Sequence, residues 1–129
     1  MRITPESPLT EDGRALVAGS QRALEEVYPP EEIFSFTADE LAVPGTTFYV
    51  ARADKVALGC VASCDCGAYV EVKRLFVPGA GRGKGVARAL MARLETDARA
   101  SGKQSVKLET GDALKAATAL YRSLGYNVR

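Results

Sequence analysis

The chain has 129 residues, which is long enough for one domain with a hydrophobic core and too short for two. Its 47% hydrophobic and 26% charged residues are typical of a folded globular protein and exclude a disordered chain. The net charge of only +1 argues against a nucleic-acid partner, which favours a strongly basic domain.

The first third of the chain reads as a short strand followed by two helices. Thr10 is a good N-cap for the first helix, and the Pro29–Pro30 pair stops it. Thr37 and Glu40 have the spacing of a capping box for the second. The predicted elements are an edge strand over residues 2–4, a helix from Glu11 to about Tyr28, and a short helix after Thr37.

From Thr46 the pattern changes to the alternation of strands. Three such stretches joined by short turns predict antiparallel hairpins. A helix with one apolar stripe follows a glycine-rich turn, and Gly102 closes it. The next alternating stretch follows that helix, so it is predicted to run parallel to the strand before the helix. The predicted ranges are strands 46–52, 56–64 and 69–77, a helix over about 83–101, a strand over 104–109, a helix over 113–123, and a strand begun by Tyr126.

Several classes of protein are excluded by what the sequence lacks. No apolar run approaches the roughly 18 residues of a membrane span, and the first residues do not resemble a signal peptide, which predicts a cytoplasmic protein with no membrane partner. There is no histidine, and Cys60, Cys64 and Cys66 match no common zinc spacing, so we expect reduced thiols and no metal site. Acid–base chemistry is left to Glu, Asp, Tyr, Lys or a thiol.

The stretch VEVKRLFVPGAGRGKGVARALM, residues 70–91, carries the clearest functional signal. Its glycines lie beyond the carboxyl end of a strand and at the start of a helix, where α/β sheets bind ligands. A helix N-terminus offers unpaired amides and a partial positive charge, and Arg82, Lys84 and Arg88 add basic side chains. Residues 73–107 contain nine basic and two acidic residues, which also favours an anionic ligand. We therefore expect the glycines to clear a path for an anion, although a tight corner is the simpler alternative.

The common phosphate motifs do not fit this loop. A P-loop requires Ser or Thr after its lysine, whereas Lys84 is followed by Gly85, and no triplet of glycines has the G-x-G-x-x-G spacing. The run from Arg82 to Ala87 instead spells R-x-x-G-x-A. It resembles the Q/R-x-x-G-x-G/A pyrophosphate loop of the GNAT acetyltransferase superfamily, and ALYRSLGY, residues 119–126, resembles that family's second signature.

The resemblance implies an α/β (α+β) fold for one domain over residues 1–129. Its central sheet is expected to be mixed, mostly antiparallel and twisted, with a splayed pair of parallel strands and helices on both faces. The last strand is expected to be truncated, since only YNVR remains after Gly125. A neighbouring chain is one way to complete that edge, which would make a homodimer.

The resemblance also implies acetyl-CoA as co-substrate. Pantetheine is expected to pair with the backbone of the strand before the loop, and main-chain amides are expected to hold the pyrophosphate. The expected cofactor-binding residues are Leu75, Phe76 and Val77 on the strand, and Arg82, Gly83, Lys84, Gly85, Val86, Ala87 and Arg88 at the loop and helix.

For catalysis, the resemblance implies Glu71 as base and Tyr121 as the acid that protonates coenzyme A. The alternatives are that Glu71 only pairs with Lys73 or Arg74, and that Tyr121 is a core aromatic. Glu109 and Thr110 are second-rank candidates.

The expected function is N-acetylation of a primary amine in a small molecule or peptide, and the alternative is a non-catalytic module that binds or senses acyl-CoA. Acidic residues near the acceptor side favour a cationic acceptor; they include Glu25, Glu26, Glu31 and Glu32.

Overall fold

The computed structural model describes residues 1–26, 29 and 37–108. Five strands and three helices occur in this part of the chain. In chain order they are β1 (Arg2–Pro5), α1 (Glu11–Glu25), α2 (Ala38–Leu41), β2 (Thr46–Ala53), β3 (Val56–Asp65), β4 (Tyr69–Phe76), α3 (Val86–Ala100) and β5 (Ser105–Leu108), with a short 3₁₀ turn over Gly79–Gly81. The helix predicted over 113–123 and the strand predicted from Tyr126 lie outside the described residues.

The five strands form one sheet in the order β1-β2-β3-β4-β5. Strands β1 to β4 pair antiparallel, as the short turns predict. Strands β4 and β5 pair parallel from Tyr69 with Ser105 to Val72 with Leu108, because α3 carries the chain back before β5 begins. The mixed, mostly antiparallel sheet is therefore confirmed. The predicted splaying of β4 away from β5 concerns residues outside the described ranges.

Helices cover both faces of the sheet, as predicted. On one face, Val61 and Val72 pack under Leu90, Met91 and Leu94 of α3. On the other, Val50 and Cys60 pack under Leu16 of α1 and Leu41 of α2. Successive strand residues point to opposite faces, so two hydrophobic layers form from one set of strands. Cys60 is fully buried, which raises the pKa of its thiol to about 12.

Three helix caps follow the sequence signals, whereas α1 ends at Glu25, before the predicted end at about Tyr28. The Thr10 hydroxyl accepts a hydrogen bond from the Gly13 amide at 2.9 Å, and both bonds of the Thr37–Glu40 capping box are present. Gly102 has a φ of 79° after the end of α3, and the next amide bonds back to the Ala98 carbonyl at 3.0 Å. The predicted caps at Thr10, Thr37 and Gly102 are confirmed. Each cap depends on residues only a few positions apart, which is why the sequence predicts it well.

A bulge in β4 was not predicted. Cys60 pairs with Phe76 and Ala62 with Lys73, which leaves one extra residue on β4 at Arg74. Arg74 has a φ of 53°, and its guanidinium donates to Ser20 Oγ at 3.2 Å and Gln21 Oε1 at 2.7 Å on α1. The bulge therefore ties the second half of β4 to the helix that covers it.

Candidate functional site

Gly81 has a packing role in the loop that joins β4 to α3. A Cβ atom at Gly81 would lie 2.2 Å from the Leu58 carbonyl oxygen and 3.0 Å from a Val77 methyl group. No side chain fits there, so Gly81 lets the turn rest directly on β3. The expectation that all the glycines clear a ligand path is wrong for Gly81.

Gly83 and Gly85 have a different environment. Their φ angles are +76° and +72°, and a Cβ atom at either position would meet no atom of the described residues within 4 Å, chain neighbours aside. Both residues adopt a left-handed conformation that favours glycine, and both face open space. Helix α3 begins at Val86 with Gly85 as its N-cap, rather than at Gly83 as predicted, because a right-handed helix cannot include residues with positive φ.

Main-chain amides at this end of α3 are available to a ligand. Within residues 1–26 and 37–108, no protein group accepts a hydrogen bond from the amides of Gly83, Lys84, Val86 or Ala87. The first turn of α3 contains no acidic side chain. The amides of Val86 and Ala87, in the first turn of α3, also carry the partial positive charge of the helix end, so the arrangement suits an anion.

Three basic residues lie in this loop and in the first turn of α3. Arg82, Lys84 and Arg88 are all exposed. Arg82 folds back so that its Nε donates to the Val77 carbonyl at 3.4 Å. The loop and the first turn of α3 therefore combine backbone donors with three basic side chains.

The end of β4 leads directly into this loop. Leu75 and Val77 are half-buried against the core under α3, while Phe76 packs toward α1. The ring of Phe76 approaches α1 so closely that a Cβ atom at Gly19 would lie 2.7 Å from it. β4 extends four residues past Val72, the last residue whose partner on β5 is described. The three residues expected to bind pantetheine are thus packed in place at the end of that strand.

Glu71 lies in the middle of β4, on the sheet face that carries α1 and α2. Its carboxylate forms an ion pair with Lys73, and their side chains are 22% and 24% exposed. This contact with Lys73 is the alternative that the sequence left open, and it is present. A role for Glu71 as base stays a prediction.

Cys64 is the neighbour of Glu71 across the β3–β4 pair. Burial raises the pKa of the Cys64 thiol, which is half-buried, so this thiol is poorly suited to act as a nucleophile. Tyr121 lies outside the described residues, as do Glu109 and Thr110. No group of three or more Cys, Asp or Glu side chains in the described ranges could hold a metal ion. None of the helices described has the length and apolar character of a bilayer span.

Comparison with known proteins gives a consistent result. Residues 14–126 match the family described as the acetyltransferase (GNAT) family. Over 126 residues the chain is 38% identical to an IAA acetyltransferase of Azospirillum brasilense, covering 96% of this chain and 82% of that protein. A Klebsiella pneumoniae protein assigned as an acyl-CoA N-acyltransferase has a similar structure, with a TM-score of 0.79, 28% identity, and coverage of 99% of this chain and 83% of that one.

A more distant structural neighbour is the aminoglycoside N-acetyltransferase AAC(6')-Iy in complex with CoA. Its TM-score is 0.69 at 18% identity, with 98% of this chain and 91% of that chain covered. At this identity the likeness is one of fold alone.

Proposed function

The chain belongs to the GNAT acetyltransferase family, and from this premise we propose that it transfers the acetyl group of acetyl-CoA to a primary amine of a small molecule or peptide. We propose that residues 1–129 form a single domain for this reaction. The observation that carries the proposal is the set of backbone amides at Gly83, Lys84, Val86 and Ala87, for which the described part of the chain provides no hydrogen-bond acceptor.

The residues present fit the pyrophosphate of acetyl-CoA. A diphosphate needs several hydrogen-bond donors close together and space beside the backbone. The open space at Gly83 and Gly85 supplies the approach, and the exposed side chains of Arg82, Lys84 and Arg88 supply positive charge. We assign Leu75, Phe76 and Val77, at the end of β4, to the pantetheine arm.

Acetyl-CoA supplies the acetyl group as a thioester. In the overall reaction the acetyl C–S bond breaks and a C–N bond forms, the amine loses a proton, and the sulfur gains one. Glu71 is the proposed base for the amine. Its place in the middle of β4 supports this role, because the loop proposed to hold the diphosphate follows the same strand. Tyr121, which lies outside the described residues, is the proposed acid for the sulfur.

Lys73 has a positioning role in this scheme. Its ammonium holds the Glu71 carboxylate on the face toward α1 and α2. A carboxylate held in place loses little freedom when it accepts a proton from the amine.

An amine acceptor agrees with what related structures contain. AAC(6')-Iy has been solved with the bisubstrate analogue CoA-S-monomethyl-acetylneamine. The relative from Azospirillum brasilense is named an IAA acetyltransferase. These names support acetyl transfer, and an amine as acceptor is our proposal for this chain.

The test is acetyl transfer by the purified protein. Acetyl-CoA is mixed with a panel of amines, coenzyme A release is followed with a thiol reagent, and products are identified by mass spectrometry. Glu71→Gln should lower kcat by about 10²- to 10⁴-fold, the usual contribution of a general base, with little change in acetyl-CoA affinity. Lys55→Gln, in the exposed β2–β3 turn, is a control that should behave like wild type.

Tight binding of coenzyme A without acetylation of any amine would contradict catalysis. It would favour the alternative of a module that binds or senses acyl-CoA.

A further inference from the structure

Charged side chains gather on one face of the β4–β5 pair, beside the proposed base. Lys107 on β5 is the register partner of Glu71 on β4. Register partners on adjacent strands project from the same face, and their backbones lie about 4.8 Å apart. Lys73, two residues after Glu71, projects from this face as well. Among the described residues, Lys73, Lys107 and Glu71 therefore bring two ammonium groups and one carboxylate to this face.

The two lysines differ in their partners. Lys73 is paired with the Glu71 carboxylate. Lys107 is half-buried, and its Nζ lies 4.1 Å from the centroid of the Tyr69 ring. In the part of the chain that the structure describes, no carboxylate forms an ion pair with Lys107. An aromatic ring fixes a cation in position but leaves its positive charge uncompensated, so a bound anion would be stabilised there.

Arg74 adds to the positive charge on this side of the sheet. Its guanidinium is held at the bulge by Ser20 and Gln21 of α1, and the Glu40 carboxylate lies near enough to act on it.

We propose that the acceptor is an amine that also carries a carboxylate, such as an α-amino acid, and that Lys107 binds this carboxylate. The inference rests on the proposed function, with Glu71 at the amine. In an α-amino acid one carbon separates the amine from the carboxylate. Glu71 and Lys107 are register partners on adjacent strands, so one small acceptor can contact both side chains.

This acceptor class differs from the cationic acceptor that the acidic N-terminal residues predict. Glu25 and Glu26 are exposed at the end of α1, where acidic residues commonly serve only solubility. Glu31 and Glu32 lie outside the described residues. Lys107, which is half-buried beside Glu71, is better placed to recognise an acceptor.

The experiment compares acceptors that differ in one charge. The α-amino acids that have a primary amine and their α-carboxamides are offered with acetyl-CoA, and kcat/KM is measured for each pair. The amine of the carboxamide is less basic than the amine of the acid, so it is more often in the neutral form that attacks the thioester. This difference alone would favour the carboxamide, which is opposite to the expected preference. We expect the acid to be preferred by about 10- to 100-fold, the effect of one charge-assisted contact.

Lys107→Gln should abolish this preference and leave the KM for acetyl-CoA unchanged, while Lys55→Gln should retain it. Equal use of acids and carboxamides, or a preference that survives in Lys107→Gln, would overturn this inference and leave the proposed function intact. Acetylation of no amine, with neutral and cationic amines included, would overturn both.

Discussion

Replacing Gly85 should separate ligand binding from folding. Gly85 is the N-cap of α3, has a φ of +72°, and has open space where a Cβ atom would lie. A Cβ atom at this position meets no described atom within 4 Å apart from its chain neighbours, but it would enter the space assigned to the pyrophosphate. Gly85→Val and Gly85→Asn are therefore expected to bind acetyl-CoA poorly while still folding.

The loss of stability and the loss of acetyl-CoA binding have different sizes. A residue with a Cβ atom in the left-handed region costs about 1–2 kcal/mol of stability, and asparagine costs less than valine because it tolerates this region. Loss of two hydrogen bonds from amides to a charged phosphate costs about 1.5–3 kcal/mol each. The sum corresponds to a rise in Kd of about 10²- to 10⁴-fold. Binding should fall equally in both variants, although their stabilities differ.

Isothermal titration calorimetry with coenzyme A measures the binding, and thermal denaturation measures the stability. Gly79→Ala is the matched control, because Gly79 lies in the same loop, also faces open space, and has no positive φ. It should bind coenzyme A as wild type does. A folded Gly85→Asn protein that binds coenzyme A with unchanged Kd would refute the reasoning.

Three further substitutions test other parts of the account. Tyr121→Phe should lower kcat by about 10²- to 10⁴-fold with coenzyme A affinity nearly intact, and unchanged turnover would assign Tyr121 to packing. Gly81→Ala should destabilise the fold by about 1–3 kcal/mol in urea denaturation, because its methyl group would lie 2.2 Å from the Leu58 carbonyl oxygen, and a stable variant would contradict this contact. The hydrogen bonds from Arg52 lower the pKa of Glu6 below its ordinary value of 4.5, so its carboxylate contributes stability above about pH 4.5 that is lost as the pH falls through the folded-state pKa. Glu6→Gln should therefore lose less stability than wild type between pH 5 and pH 3, and identical pH profiles would be evidence against the pairing.

Elements that depend on local chemistry were predicted well. The alternation from Thr46 to Phe76 and the capping residues Thr10 and Gly102 each act over a few positions, and the structure places strands and helix ends there. The parallel pairing of β4 and β5 also followed, because a helix between two strands leaves little choice of direction.

Features that depend on distant residues were not predicted. The bulge at Arg74 depends on partners more than fifty positions away, at Ser20 and Gln21. The role of Gly81 depends on the Leu58 carbonyl, which approaches only once β3 is in place. Periodicity along one segment contains no information on such contacts.

The residues of the candidate site divide in the same way, into those that a local pattern indicates and those that depend on contacts between distant residues. The spacing of Arg82 and Gly85 indicated an anion site, which stays a prediction, and it directed attention to the amides after β4. The sequence did not point to Lys107, because its proximity to Glu71 and Tyr69 depends on the register between β4 and β5. The alternation in QSVKLE placed Lys107 on one face of a strand. The alternation does not show which residue of β4 lies beside Lys107.

The most direct test of the central claim is a crystal structure of the protein with acetyl-CoA. The account predicts pyrophosphate oxygens about 2.7–3.2 Å from the main-chain nitrogens of Gly83 to Ala87, within hydrogen-bonding distance. A complex in which the pyrophosphate lies elsewhere, with those nitrogens bonded to water or to protein carbonyls, would contradict it.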